Sequence, residues 1–276
     1  MKKIICGCLV LLGSVQAMLA ISLQDALAQK LVEVVAISGR ESSAHTLNIT
    51  LRNKTNNSIS IEILLGQMLA PIDTNEQTML VVRPEVLALA KGQTASRLLS
   101  TYCCMSTKMS PSAMSPFAVS ALANAKMLDM LAKAATFDLP DFDWQSAVWA
   151  VSNNHRAEGI SQPELRQFVA DLIGQKLQDL TLRYETAVVP GRIAFEPTGL
   201  HVEGNFKYYT DRDIKAQLAL YTTGGKLITV MHRNLAHTRG QHNFHFKFRF
   251  NGIKPGAYIV KLTSGNKVIS EMPVEF

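Results

Sequence analysis

The sequence predicts a mainly β protein with a helical insertion (α+β): a β-sandwich elaborated by three helices, then a second, C-terminal β-sandwich. Three observations carry this. Short runs in which apolar and polar residues alternate recur over residues 32–103 and again after about residue 190, the period of half-buried strands. Between them the apolar spacing lengthens to that of helices. A length of 276 residues suits two domains, each large enough to bury a core. With 47% hydrophobic residues the chain is not disordered.

Residues 1–20 read as a signal peptide. Met1-Lys2-Lys3 is a basic start, Ile4 to Leu12 a short apolar run, and Val15-Gln16-Ala17 offers small residues for cleavage. Ser14 and Gln16 end the run well short of the roughly 20 apolar residues that span a bilayer. The expectation is export to the periplasm, the outer surface or the medium, with no transmembrane segment after cleavage. Cleavage also removes Cys6 and Cys8 and leaves the neighbours Cys103 and Cys104. Neighbours on a strand point to opposite faces, so a bridge between them would be strained and no disulfide framework is expected.

The first domain is expected over 21–186. Ser22 caps a short helix to Lys30. Strands follow at Val32–Ile37, Leu47–Leu51, Ile59–Ile63, Met79–Val82, Val86–Ala90 and Ala95–Cys103, with turns at Asn53–Asn57 and Lys91-Gly92-Gln93. Ser115-Pro116 is expected to start a helix carrying Phe117, Ala121, Leu128 and Leu131. Asp143 is expected to cap a second helix through Val151. Ser161 and Glu164 form a capping-box pattern for a third, whose apolar stripe runs from Leu165 to Leu180.

The second domain is expected over 190–276, after Val189-Pro190-Gly191. Phe244, Phe246, Phe248 and Phe250 alternate with His245, Lys247 and Arg249. Gly224-Gly225 and Gly265-Asn266 read as hairpin turns. Seven short strands in this length suit an immunoglobulin-like sandwich.

The charge is uneven. Of 28 Lys and Arg against 22 Asp and Glu, residues 190–276 hold 12 basic and 6 acidic, and so the whole excess of +6. Lys247, Arg249, Lys261 and Lys267 are candidate contacts for an anionic glycan or envelope component, since a basic face attracts polyanions. An ordinary solvated surface is the alternative, another protein is a further candidate partner, and export argues against nucleic acid.

The stretches Leu220–Lys226 and Gly252–Leu262, a strand ending in a Gly-Lys turn and then a Pro-Gly-x-Tyr-x-Val strand, resemble the C-terminal immunoglobulin-like modules of Bacteroidetes exported proteins, including type IX secretion sorting domains. The resemblance implies an address or attachment module. Those domains tend to finish on a basic residue, whereas this chain finishes on Phe276.

Tyr102-Cys103 and, later, Gln145-Ser146-Ala147-Val148-Trp149 are similar to two motifs of the thioester domains of bacterial surface adhesins. That resemblance implies an internal thioester, with Cys103 as the thiol and Gln145 as the acyl donor. The alternative is that Cys103 and Trp149 are core residues and Gln145 an exposed residue of a first helical turn. The segments Ser22–Val34, Leu47–Gly66, Gln77–Val82 and Tyr102–Cys103 together also resemble a little-described group of exported bacterial domains.

Asp138, Asp141 and Asp143 lack EF-hand spacing, and Asp143 reads better as a cap. His232, His237, His242 and His245 do not form a ligand pattern, His242 and His245 facing opposite sides of one strand. No metal or cofactor is expected. The mature chain has no Gly-x-Ser-x-Gly, His-Glu-x-x-His, phosphate loop or Cys-x-x-Cys, so the reading leans away from an enzyme. A secreted hydrolase without a local motif stays open, because paired carboxylates leave none.

Overall fold

The structure, a computed structural model, describes residues 20–40, 43–113, 115–185, 190–193, 195, 199–254 and 256–276. The expected signal segment lies outside them except for Ala20. The chain is mainly β with helices, as its patterning predicts. In order it forms β1 (Ile21–Ser22), α1 (Leu23–Ala28), β2 (Val32–Arg40), β3 (Ser43–Asn53), β4 (Ile59–Ile63) and β5 (Gln67–Pro71). Then come β6 (Met79–Val81), β7 (Glu85–Leu89), β8 (Thr94–Cys103) and β9 (Phe117–Leu122). Three helices follow, α2 (Ala125–Ala134), α3 (Asp141–Asn153) and α4 (Pro163–Ile173), with a single 3-10 turn at Ala157–Gly159 before α4. The last seven strands are β10 (Leu180–Glu185), β11 (Gly199–Thr210), β12 (Ile214–Thr222), β13 (Leu227–His237), β14 (Gly240–Phe250), β15 (Ala257–Ser264) and β16 (Lys267–Glu275).

In the N-terminal half a six-stranded sheet runs β2-β3-β8-β6-β5-β9. It curls until its edges almost meet, for Pro116, just before β9, bridges Ser38 of β2. A side chain at Gly39 could not exist here: its Cβ would lie 2.0 Å from the Ser112 carbonyl oxygen. The sheet β1-β4-β7 packs on the concave side, and Leu47, Ile49, Leu51, Ile61, Ile63, Leu89 and Leu99 are sealed between the two. Each such side chain contributes about 1.5–3 kcal/mol. Period-two alternation along β8 then splits its residues between two cores. Leu99 and Cys103 point into this one. Tyr102 points out, joining Leu80 and Val82 beneath Met130, Leu131, Trp144, Val148, Leu165 and Val169 of α2–α4.

Several local expectations give way to tertiary pairing. Phe117–Leu122 is a strand rather than a helix, because it completes the sheet against β5. The helix starts only at Ala125, where the Asn124 carboxamide oxygen accepts from the Met127 N–H at 3.0 Å. Asp143 does not cap its own helix, which begins at Asp141. Its buried carboxylate instead accepts the N–H groups of Ser161 (2.9 Å) and Gln162 (3.2 Å), steering the chain into α4. There the cap is Gln162, with Pro163 in the first turn, not Ser161.

Leu180 lies on β10 rather than on the α4 stripe, and β10 pairs along its length with β11. Leu180–Glu185 thus belongs to the sheet β10-β11-β14. That sheet and the sheet β13-β12-β15-β16 enclose Phe206, Phe246, Phe248, Leu218, Leu220, Val260 and Leu262. The Phe246 ring lies over Gly204, whose absent Cβ would meet it at 2.8 Å.

The two halves are joined by a polar knot. The Arg156 guanidinium donates twice to the Glu158 carboxylate, at 3.0 and 2.7 Å, and reaches Glu275 of β16 at 3.4 Å. Glu158 also accepts the Gln178 N–H at 2.7 Å, and its side chain is only 1% exposed. Removing one partner of a buried pair strands the other charge. Arg156→Met should therefore cost about 3–5 kcal/mol in urea unfolding, whereas breaking the exposed Lys133–Glu164 pair should cost less than about 1 kcal/mol.

Candidate functional site

The site is built at the end of β8. Here β6 flanks Cys103 on one side, pairing it with Met79. On the other side β3 runs on to Ser43 but parts from β8, its last partner there being Ser100. The bonds toward β6 use Ser100 (Val82 N–H to its carbonyl, 3.0 Å) and Cys104 (its N–H to the Thr78 carbonyl, 2.9 Å). By antiparallel alternation the N–H and C=O of Cys103 point the other way, into the vacant position. Left alone they would be a buried, unpaired donor and acceptor.

Gln145 fills that position from the second turn of α3. Its carboxamide oxygen accepts the Cys103 N–H at 3.1 Å and its NH2 donates to the Cys103 carbonyl at 2.8 Å. The side chain acts as a surrogate peptide group closing the ladder. Gln145 is 4% exposed and Cys103 fully buried, so the expectation of an exposed Gln145 is corrected, while Cys103 and Trp149 are core residues as that alternative held. Gln145, Trp149 and Asn153 lie four apart on one face of α3, and this face follows the chain beyond β8. The Asn153 carboxamide oxygen accepts the Ser106 N–H at 2.7 Å.

The thiol is free, as is that of Cys104. Burial pushes the Cys103 thiol far above its ordinary range, with adjoining Cys104 adding to the rise, so it is protonated at neutral pH. The hydroxyl of fully buried Ser110 offsets part of that rise, and Gln77 reaches the same hydroxyl at 3.5 Å. Burial raises Cys104 to about 12. Beside this group, Ser106 Oγ is 3.0 Å from His155 Nε2, and burial keeps the imidazole below 6.5 and neutral. The Trp149 indole N–H is buried without a hydrogen-bond partner.

On the opposite face of β8 the Tyr102 hydroxyl donates to Asp141 at 2.7 Å, and its ring packs between His45 (4.7 Å) and Trp144 (6.1 Å). Asp141 and Asp143 are thus committed to separate partners. Among the described residues no group of three or more His, Cys, Asp or Glu could hold a metal ion.

The basic candidates do not share one face. Lys247 and Arg249 lie on β14, in the three-stranded sheet, whereas Lys261 and Lys267 lie on β15 and β16 in the four-stranded one. Lys261 is paired with Glu271 at 2.9 Å and Lys247 with Glu203 at 3.6 Å. Missed in the sequence was a transverse row. Arg183 of β10 is in register with His201 of β11, and His201 with Arg249. Only strand register brings these three together, and no local motif announces it. The histidines also disperse: His232 packs on Phe248, His245 pairs with Glu203, and His237 and His242 have ring centroids 5.1 Å apart. A hollow of about 490 Å³ between the start of α4 and β10–β11 is lined by charges of both signs, Glu158, Arg166, Asp179 and Glu203 among them, and neither Cys103 nor Gln145 borders it.

Among the described residues the same clamp recurs without a thiol. Gln178 donates to the Glu275 carbonyl at 3.2 Å and accepts its N–H at 2.8 Å, but in an exposed setting. Burial decides the energetics, since an unmet polar group costs about 1–3 kcal/mol only where water cannot replace the partner. Gln145→Ala should lower stability in urea by about 2–4 kcal/mol, and Gln178→Ala by less than about 1 kcal/mol.

No protein-family model matches the chain, and no curated protein does. Two solved structures of a beta-glucosidase from Kluyveromyces marxianus, one selenomethionine-labelled and one with glucose bound, are similar at 10% and 11% identity. Each alignment covers 83% of this chain and 44% of the other, with a TM-score of 0.14. The chain thus spans less than half of that enzyme's length, and overlap this poor assigns neither fold nor activity.

Proposed function

We propose that this is an exported, non-enzymatic envelope or extracellular protein that attaches itself to a partner through an internal thioester between Cys103 and Gln145. One observation carries the reading: two residues 42 apart in sequence meet in a buried site with the Gln145 carboxamide laid against Cys103. Both bonds go to the main chain of the residue that bears the thiol, so the carboxamide carbon lies beside the Cys103 Cα. The sulfur hangs from the same Cα through one staggered torsion.

The chemistry balances as a condensation followed by a transfer. The Cys103 sulfur adds to the Gln145 side-chain carbonyl carbon, the C–N bond breaks, and ammonia departs with the thiol proton. The Cys103 N–H already faces the oxygen on which charge develops, the placement that stabilises a tetrahedral oxyanion. In the second step a nucleophile on the partner attacks the same carbon, the C–S bond breaks, and the thiol recovers a proton. A buried site excludes water, which would otherwise hydrolyse the thioester. Each molecule acts once, so this is attachment rather than turnover. The signal-like segment and the C-terminal module that resembles attachment domains support a surface role.

Intact-mass spectrometry of the mature protein checks this. The expected mass is one ammonia below the sequence mass and rises by one methylamine on treatment with that amine. Gln178→Glu leaves the deficit in place, while Cys103→Ala abolishes it. Full mass in the freshly purified wild type counts against the thioester.

The Arg183–His201–Arg249 row favours a second, non-covalent reading, in which the β10-β11-β14 face holds an anionic glycan. Retention on a heparin-type column should fall steeply with salt, because exposed charges are screened within about 10 Å at 0.1 M, and Arg183→Glu should shorten it. Retention that ignores salt, or is unchanged in that variant, counts against this reading.

A further inference from the structure

The outer face of the sheet β10-β11-β14 carries two hollows. Period-two alternation turns Leu180, Leu182, Val202 and Phe246 into the sandwich and leaves their strand neighbours outside. The larger hollow, about 490 Å³, lies between the first turns of α4 and the sheet, with Glu203, Asn205 and His245 among its lining. The smaller, about 90 Å³, lies against Arg183, His201 and Lys247. Thr181 and Glu203 border both, so the two are parts of one groove. Its walls are fixed to each other. The segment from Gly174 to Asp179 joins α4 to β10, and within it Gln178 clamps Glu275 and gives its N–H to Glu158 at 2.7 Å. The larger hollow falls within the range of small-ligand sites, about 300–1,000 Å³.

The two parts offer different chemistry. In the larger hollow the buried Glu158 is held by Arg156, and Glu203 is shared by His245 (3.3 Å) and Lys247 (3.6 Å). Arg166 and Asp179 are opposite in sign, and among the described residues neither side chain has an ion pair or hydrogen bond. The Gln167 NH2 is engaged with Asp171 at 2.8 Å, which leaves its oxygen. The Asn205 oxygen meets His245 Nδ1 at 3.2 Å, which leaves its NH2. The Arg166 guanidinium and the Asn205 NH2 thus stand as donors beside two acceptors, the Asp179 carboxylate and the Gln167 oxygen. Their charges cancel, so this end has no excess to draw an anion. Adjacent hydroxyls of a sugar ring each donate and accept, which suits such a set, and Leu177 and Leu180 add apolar surface for its C–H face. At the smaller hollow Arg183 is exposed and, among the described residues, without an ion pair. It brings a positive charge that no carboxylate offsets.

We propose that the two hollows form one groove for an acidic oligosaccharide. A neutral sugar sits among Arg166, Gln167, Asp179 and Asn205, and the anionic group of its neighbour is held by Arg183. The inference rests on the non-covalent glycan reading and is independent of the thioester. Glu203 stands one row of the sheet from Arg183, about 7 Å along the strand, and repels a second anion from the larger hollow. The groove therefore favours chains in which charged and neutral sugars alternate.

Titration calorimetry of the full chain with two probes tests this. One is a short hyaluronan oligosaccharide, in which a carboxylate sugar alternates with a neutral one; the other is inorganic polyphosphate, charged at every unit. Both should bind, and Arg183→Glu should weaken both. Gln167→Trp fills the hollow from α4 and should weaken the oligosaccharide at least about tenfold more than polyphosphate, through lost hydrogen bonds. Asn205→Trp fills it from β11 with the same expected result, so a folding failure in one variant leaves the other. Equal weakening of both probes in the variants that fold, or binding of polyphosphate alone, overturns the groove and leaves the anionic-glycan reading standing. Binding of neither probe, or indifference of both to Arg183→Glu, overturns that reading and the groove with it.

Discussion

The N-terminal half depends on how one interrupted ladder is closed. β3 leaves β8 at Ser100, three residues before the strand ends, and a buried strand edge cannot stay unpaired. The Gln145 carboxamide satisfies it, and this fixes α3 against β8 in both depth and rotation. With α3 placed, Asp143 can bind the entry to α4, Trp149 reaches the inner core, and Asn153 and His155 hold the chain beyond β8. A residue whose first role is to complete hydrogen bonding also sets an electrophilic carbon beside a thiol. The chemistry proposed for it needs only that the thiol turn toward that carbon.

The second pairing of this type sharpens the distinction between structure and chemistry. Gln178 grips Glu275 with nearly the same bonds, so the clamp alone implies no reaction. What differs at Cys103 is a nucleophilic side chain and exclusion of water. The thiol is held protonated, and a protonated thiol is a poor nucleophile. The arrangement accordingly suits one slow condensation better than repeated turnover.

Much of the fold was legible because period-two and 3.6-residue patterns report which face is buried. The strands β2, β3, β4, β6, β7 and β8, the Phe strand β14 and the hairpin turns at Gly225 and Gly265 follow directly. Phe117–Leu122 was misread because its apolar positions suit either period, and only the free edge of β5 decides between them. Asp143 looked like a cap because capping is a local property, whereas its actual partners are eighteen and nineteen residues on. Leu180 reads as part of the α4 stripe for the same reason: β10 carries no label naming β11 as its partner.

The pair Cys103 and Gln145 was visible as residue types in a motif, but not as a contact. The Arg183–His201–Arg249 row was invisible, being a product of strand register. The central claim, a covalent bond between these two side chains, is tested most directly by sequencing peptides. An acidic, reductant-free digest should contain one species joining the Cys103 peptide to the Gln145 peptide, one ammonia lighter than the two combined, with fragment ions placing the link at those residues. The two peptides found only apart, each at full mass with Cys103 as a free thiol, would contradict it.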